Sequence, residues 1–494
     1  MNLKPKAVLT EKEVNDGLKL VIVDGLASEA MNALISGAFL VAFALLLGAS
    51  NFQIGLLAGL PTFTNIFQLI SIWLVRRYNN RRAVSVFCSI IARTPLIITG
   101  ALVLIYPNTS ISLLIFFLFF YYLFASIAGP SWNSWMKDLV PEKRLGTFFA
   151  KRTSLMQITN VVLSLIMAFV IDYIKDHYPA NGALRTYAWM FVAGGIIGLT
   201  GVLFLSRTPE HSSVLERENI FTMLKRPLKD GNFRSLLLFN SAWVFAINLA
   251  IPFFTVYMMK SIGLSISYVI GFTVLSQITG IIAVRFWGIF ADRYSNKTII
   301  AIGAPLYITV IIAWCFVGIY THLYANLILL AVIHIFMGIA TSGINLSLTN
   351  IGLKLAPNNM AIVYLSAKNI ITAFFSSVAP LVGGILADFF ERRHISIDAQ
   401  YAGPRVNKVF HLLSLHEWNF LFLIGALLAI VALQLLVQVK ESGEVEKSVV
   451  VRIMRSSLRN NLKDNFITGN LLHWHDQLWS LVRKKPVADK TSTH

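Results

Sequence analysis

One acid, one base and a set of amides stand where the neighbouring residues are almost all apolar. Glu29 lies within the run from Leu18 to Gly48, and Arg93 within the run from Ala83 to Tyr106. An ionisable side chain in hydrocarbon is costly, so it is retained for pairing, proton exchange or ligand binding. Arg93 falls about mid-depth in its run at a helical rise of roughly 1.5 Å per residue. The depth of Glu29 is compatible, which predicts a Glu29–Arg93 pair. That pair is either a fixed packing bridge or an energy-coupling site in which Glu29 carries a proton.

Amides make up the second group. Asn32 follows Glu29 by three residues and shares its helix face. Asn240, Trp243 and Asn248 lie in one later run, Gln157 and Asn160 in another. Gln277, His334 and Asn345 stand in further runs. Each needs polar partners that lipid does not offer. Each either bonds a neighbouring helix, for about 0.6–2 kcal/mol, or lines a polar path for a solute. A lone histidine such as His334 is either a packing residue or a proton relay.

The elements that must hold these groups follow from composition. The chain has 494 residues, 56% hydrophobic and 13% charged, with a mean hydropathy of +0.67. A soluble domain carries about 25% charged residues, so most of this surface has lipid as its solvent. A helix needs roughly twenty apolar residues to cross the hydrocarbon core. Such runs are Leu18–Gly48, Gln53–Val75, Ala83–Tyr106, Ile111–Trp132, Thr147–Ile171 and Tyr187–Ser206. After a polar stretch come Leu236–Met259, Tyr268–Trp287, Thr298–Ile319, Ala325–Ile344, Met360–Ala387 and Asn419–Val437. The predicted fold is all-α and integral to the membrane, with twelve transmembrane helices in two six-helix bundles. The expected divisions are an N-terminal bundle (1–206), a linker (207–234), a C-terminal bundle (235–440) and a basic tail (441–494). Ser448–Asn465 in that tail is either a cationic amphipathic helix or a flexible segment.

Most of the 42 lysines and arginines fall in the N-terminal arm, the even-numbered interhelical connections, the linker and the tail. That bias puts both termini on the cytoplasmic side. It also accounts for the net charge of +18 without a nucleic-acid partner. Arg93 is the one cation this count places inside a span. Cys88 and Cys315 lie in different halves with no metal-ligand spacing, and His473 and His475 supply only two ligands, so no metal site is expected. No phosphate-binding loop or hydrolase motif occurs, and no cofactor is expected.

A shift of 216 positions, Arg77 onto Arg293, aligns the halves without gaps. It superposes Leu139-Val140-Pro141 on Leu355-Ala356-Pro357, Gly55 on Gly271, Asp172 on Asp388 and Asn32 on Asn248. Six spans separate equivalent points, so the halves run in the same direction about a pseudo-twofold axis along the membrane normal. The segment Gly288 to Lys297, GIFADRYSNK, resembles the G-x-L-A-D-R-x-G-R-K loop signature of the major facilitator superfamily.

That resemblance implies a secondary carrier moving a small solute by alternating access, not an enzyme. A proton gradient is the expected drive, and a monomer in a bacterial inner membrane the expected form. It places Asn32 and Asn248 opposite each other across a central cavity. It makes Gly288, Asp292, Arg293 and Lys297 a cytoplasmic gate, with Asp292 against the start of the fifth span, near Thr147–Arg152. In the first copy Arg76 replaces the acid and Asn79 the glycine, so Arg76, Arg77 and Arg81 form either a weaker gate or simply a topology signal. Pro380 should loosen the eleventh span by removing a backbone donor. A membrane-embedded enzyme on lipid-linked substrates would need an acid or histidine cluster at one membrane face, which the sequence lacks. A receptor that kept the fold but moves nothing is the other alternative.

Overall fold

The computed structural model describes residues 5–6, 9–179, 181–211, 226–319, 322–357, 360–402 and 407–441. The tail proposed as an amphipathic helix lies outside them. Among the described residues, twelve helices are long and apolar enough to cross a membrane. The first half contains α1 (Glu11–Leu46), α2 (Asn51–Tyr78), α3 (Arg81–Ile105), α4 (Ile111–Leu139), α5 (Glu142–His177) and α6 (Asn181–Leu205). The second contains α7 (Gly231–Lys260), α8 (Ile266–Ala291), α9 (Asn296–Phe316), α10 (Leu323–Leu355), α11 (Val363–Phe390) and α12 (Trp418–Gln438). Helices satisfy their own backbone groups, which is why lipid selects them. A hairpin not foreseen from sequence, β1 (His394–Ala402) and β2 (Asn407–His416), joins α11 to α12 with His394 opposite His416.

Local chemistry sets the helix ends. Thr10 and Glu13 form a reciprocal capping box at the start of α1, and Ser50 with Gln53 does the same for α2. Near its far end α1 breaks at Ser36, where Gly37 takes φ +60°, a left-handed conformation that favours glycine. Both the Ser36 N–H and its hydroxyl donate to the Asn32 carbonyl, at 3.1 and 2.7 Å. The 216-residue shift carries Ser36 onto Pro252, inside α7. Proline has no N–H for the carbonyl four residues earlier, that of Asn248. Asn32 and Asn248 thus each precede a weak point in the first helix of their half.

The termini of consecutive helices alternate between an N-terminal face, which carries residue 11 and the linker, and an opposite face. At the opposite face the halves are tied by two equivalent contacts. The Asp172 carboxylate, near the end of α5, accepts from the Ile266 and Ser267 N–H groups that open α8, at 3.2 and 3.0 Å. The Asp388 carboxylate, near the end of α11, accepts from the Asn51 and Phe52 N–H groups that open α2, both at 3.1 Å. These donors have no partner within their own helix and carry the positive end of its dipole. Each contact is worth about 0.3–2 kcal/mol by that electrostatic effect.

Close packing of α2 on α11 extends this seam. A Cβ placed on Gly55 would lie 2.1 Å from the Pro380 carbonyl oxygen. Its repeat mate Gly271 has open space around the same point. Pro380 sits inside a continuous helix, so it makes a contact surface here and not a break. Gly55→Ala is therefore expected to destabilise the purified protein by about 1–3 kcal/mol through overpacking. Gly271→Ala should be neutral or slightly stabilising, since Ala is the better helix former. Thermal unfolding in detergent compares them, and equal effects would refute the seam.

Candidate functional site

Two cavities run along the helices that the sequence marks. The first, about 530 Å³, lies between the halves around the two helix weak points. Ser36, Gly37, Asn248 and Pro252 line it, with Asn160 from α5 and Gln277 from α8. The second, about 320 Å³, lies within the first half towards the N-terminal face. Its polar wall comprises Asp24, Ser28, Glu29, Asn32, Arg93 and Arg152, with Tyr121 and Trp132 beside them.

The Glu29–Arg93 pair expected from sequence is not formed. Arg93 lies 3.7 Å from Asp24 instead, and both are buried. Arg93 also donates to the Ser28 hydroxyl at 2.7 Å and to the Gly198 carbonyl. Asp24 is one and a half turns nearer the N-terminal face than Glu29, and its carboxylate wins the guanidinium by position. Glu29 instead accepts from the Asn160 amide at 2.7 Å, which bridges α1 to α5. Asp24 is a site residue that sequence reasoning missed, although it interrupts an apolar run, Val21-Ile22-Val23-Asp24.

The amides divide. Asn32 is exposed to the second cavity, while Asn248 lines the first, its amide bonded to the Val244 carbonyl at 2.8 Å. They line different cavities and so do not face each other across one space. Asn160 and Gln277 line the first cavity. Trp243 does not: it is fully buried against Phe239 and Tyr307. Asn240 is buried too, donating to the Thr372 hydroxyl of α11 at 2.5 Å. His334 is buried between Phe272 and Trp314, its Nδ1 against the Leu330 carbonyl at 2.8 Å, a packing role. Gln157 and Asn345 line neither cavity.

The count that gave Arg93 alone assigned to the connections several cations that lie within the apolar runs themselves: Lys19 in α1, Lys151 and Arg152 in α5, Arg285 in α8 and Lys368 in α11. The repeat carries the missing signal, since it aligns Arg152 with Lys368 and Asp24 with Asn240. Lys368 is buried and donates to the Leu348 carbonyl at 2.5 Å.

At the N-terminal face two of the expected gate residues, Arg81 and Lys297, bond within their own halves. Glu210, just past α6, accepts from the Arg81 and Arg82 N–H groups at 2.9 and 3.1 Å and from Arg81 Nε at 3.2 Å. Arg81 also reaches Asp138 at 2.5 Å. Glu441, just past α12, accepts from the Lys297 N–H at 2.7 Å, Asn296 Nδ2 at 2.9 Å and Lys354 Nζ at 3.0 Å. Arg81 and the Lys297 backbone are thus anchored just past the last helix of their own bundle. Arg77 and Arg293 are exposed, the latter over the Tyr294 ring at 5.6 Å, and Arg76 is exposed as well. Gly288 faces Leu346 of α10, also in its own half. The Asp292 side chain lies outside the described residues.

A sequence model of the Major Facilitator Superfamily matches residues 25–380. The chain belongs to that superfamily. It is therefore a membrane transporter by family, and its twelve helices form the superfamily's two pseudo-symmetric bundles. Solved superfamily structures share the fold at low identity. The nucleoside transporter NupG superposes with a TM-score of 0.60 at 12% identity, covering 87% of this chain and 100% of its own. A D-xylose–proton symporter gives 0.62 at 14% identity over 88% and 98%. The inward open xylose transporter XylE from E. coli gives 0.59 at 14% over 89% and 99%. No curated protein matches the chain significantly.

The charges can be tested by substitution. Arg93→Met strands the Asp24 carboxylate and should cost about 3–5 kcal/mol, whereas adding Asp24→Asn to it should recover much of that loss. Non-additive unfolding midpoints in the double-mutant cycle are the expected signature, and strict additivity would show the pair to be uncoupled. Burial pushes the Glu441 carboxyl up, but the bonds from Lys297, Asn296 and Lys354 outweigh this and hold it below the ordinary 4.5 of a glutamate. Its stabilisation is therefore complete above that value and fades as pH falls through the lower folded value. Glu441→Gln should lower stability at neutral pH, with the gap to the parent narrowing on acidification.

Proposed function

We propose that the protein is a secondary carrier that moves a small solute by alternating access, with the proton gradient as its drive. One observation supports this above the others. Two equivalent bundles are latched at one face by Asp172 and Asp388, while charged and amide side chains line cavities behind the latch. With the lysine- and arginine-rich N-terminal face on the cytoplasmic side, this is the form closed to the outside. Both termini are then cytoplasmic, and the protein works as a monomer in a bacterial inner membrane. The similarity to transporters from bacteria supports that location.

Rocking needs contacts that hold one state yet release at modest cost. Two carboxylates on helix N-termini suit that need, since they bind by a few kcal/mol and leave each aspartate free to meet water when the face opens. In the opposite state the N-terminal face must close, and the Gly288–Lys297 loop with Asp292 is the element proposed to do it. Asn32, Asn160, Asn248 and Gln277 supply solute contacts, because amides can both donate and accept.

Glu29 is the proton-coupling residue in this reading. It shares the cavity with Asn32 and holds α1 to α5 through Asn160, so its charge bears on how that wall packs. Arg93, engaged with Asp24, has a structural part instead. Reconstituted full-length protein, given a pH gradient across liposomes and a panel of labelled solutes, is expected to accumulate at least one solute. Glu29→Gln should abolish gradient-driven accumulation while leaving downhill exchange. Undiminished accumulation in that variant would remove Glu29 from coupling.

A further inference from the structure

Two carboxylates, Asp24 and Glu29, and two guanidinium groups, Arg93 and Arg152, line the second cavity, and their direct contacts engage them unequally. Asp24 is held by Arg93 and Ser28, and Glu29 by the Asn160 amide. Asp24 interacts electrostatically with both Arg93 and Arg152, and Arg152 with Glu29 as well. Arg152 makes a single, long hydrogen bond, from Nε to the Val21 carbonyl at 3.5 Å. Its Cζ lies 4.7 Å from the Trp132 ring centroid, and the bare surface of Gly25 seats its other side, where a Cβ would come within 2.8 Å of Nε. A guanidinium offers five N–H donors in a planar fork. Here the fork is sandwiched between an indole and a helix, in the wall of a polar cavity, with most of its donors unspent on protein acceptors.

Its repeat mate shows the alternative. The position of Trp132 is taken by Leu348 in the second half, and Lys368 spends its ammonium on that residue's carbonyl. The second half thus packs its cation away, while the first keeps Arg152 at a cavity.

We propose that this cavity binds the anionic group of the solute, a carboxylate or a phosphate, with Arg152 as its counter-charge. Calling the anion a solute rests on the carrier reading, but the binding site itself can stand without it. Arg152 grips two oxygens of the anion through its fork. Trp132 and Tyr121 in the cavity wall border an attached apolar or aromatic part, and Asn32 adds a neutral donor. The Asp24–Arg93 pair keeps the second guanidinium occupied, so a singly charged group is matched by one cation when Glu29 carries the proton assigned to it above.

Full-length protein purified in detergent is the material for the test. Its unfolding midpoint is measured with millimolar benzoate, phenyl phosphate, benzamide or benzylamine. Benzoate, phenyl phosphate or both should raise the midpoint, and whichever does so identifies the headgroup. The neutral amide and the cationic amine should leave it unchanged. Arg152→Gln should lose the shift, and Arg152→Lys, which keeps the charge but not the fork, should bind roughly tenfold more weakly. Arg185→Gln, an exposed cation at the opposite face, serves as the control that keeps it. The lysine variant guards against a glutamine variant that fails to fold. A midpoint unmoved by either anion, or an equal response to benzamide, benzylamine or in Arg152→Gln, overturns the proposal. Anion binding without flux in liposomes would leave this site standing and defeat the carrier reading. Flux of a neutral solute that ignores Arg152→Gln would do the reverse.

Discussion

The bond between a carboxylate and the open end of a helix governs this molecule. Asp172 and Asp388 each receive two backbone N–H groups that no helix can satisfy internally. The same pairing recurs at the other face, where Glu210 and Glu441 cap the starts of α3 and α9. The difference lies in what each one joins. The aspartates reach across the halves and hold one face shut, whereas the glutamates stay within a half and make each bundle a rigid unit. A carrier needs both: stiff bodies, and a seam that can part.

Placing charge in a low-dielectric interior constrains the rest. Asp24 and Arg93 survive there because each meets the other and further hydrogen-bonding groups. Lys368 is accommodated by a backbone carbonyl. Arg152 differs, since an aromatic face and a glycine surface shield it while few acceptors engage it. Charge within the spans therefore fixes the packing of α1, α3 and α6 in one case and lines a cavity in the other.

Symmetry is kept where mechanics requires it and dropped where chemistry does. The latches and caps are repeated in both halves. The side chains of the cavity walls are not: Glu29 corresponds to Phe245, Arg93 to Thr309 and Trp132 to Leu348. The tight backbone contact at Gly55 likewise has no counterpart at Gly271. An asymmetric solute bound between symmetric bodies is the physical situation that would produce this pattern.

Residue order alone determined the number of spans, the repeat and its offset, because hydrophobic run length and spacing are one-dimensional properties. It also marked Asp172 and Asp388 as equivalent, and Glu29, Asn32, Asn160, Asn248 and Gln277 as polar groups in apolar runs. Only the tertiary structure decided who meets whom. Helix rotation turned Trp243, Asn240 and His334 into packing, and a depth difference of a few residues gave Arg93 to Asp24 in place of Glu29. Arg152 and Lys368 lie near the starts of their apolar runs, where the charge count grouped them with the connecting loops. Their burial depends on neighbours far away in the chain, Trp132 and Gly25 for one and Leu348 for the other. Side-chain partnership in a bundle is set by the phase and depth of separate helices, and no local pattern of residues encodes either.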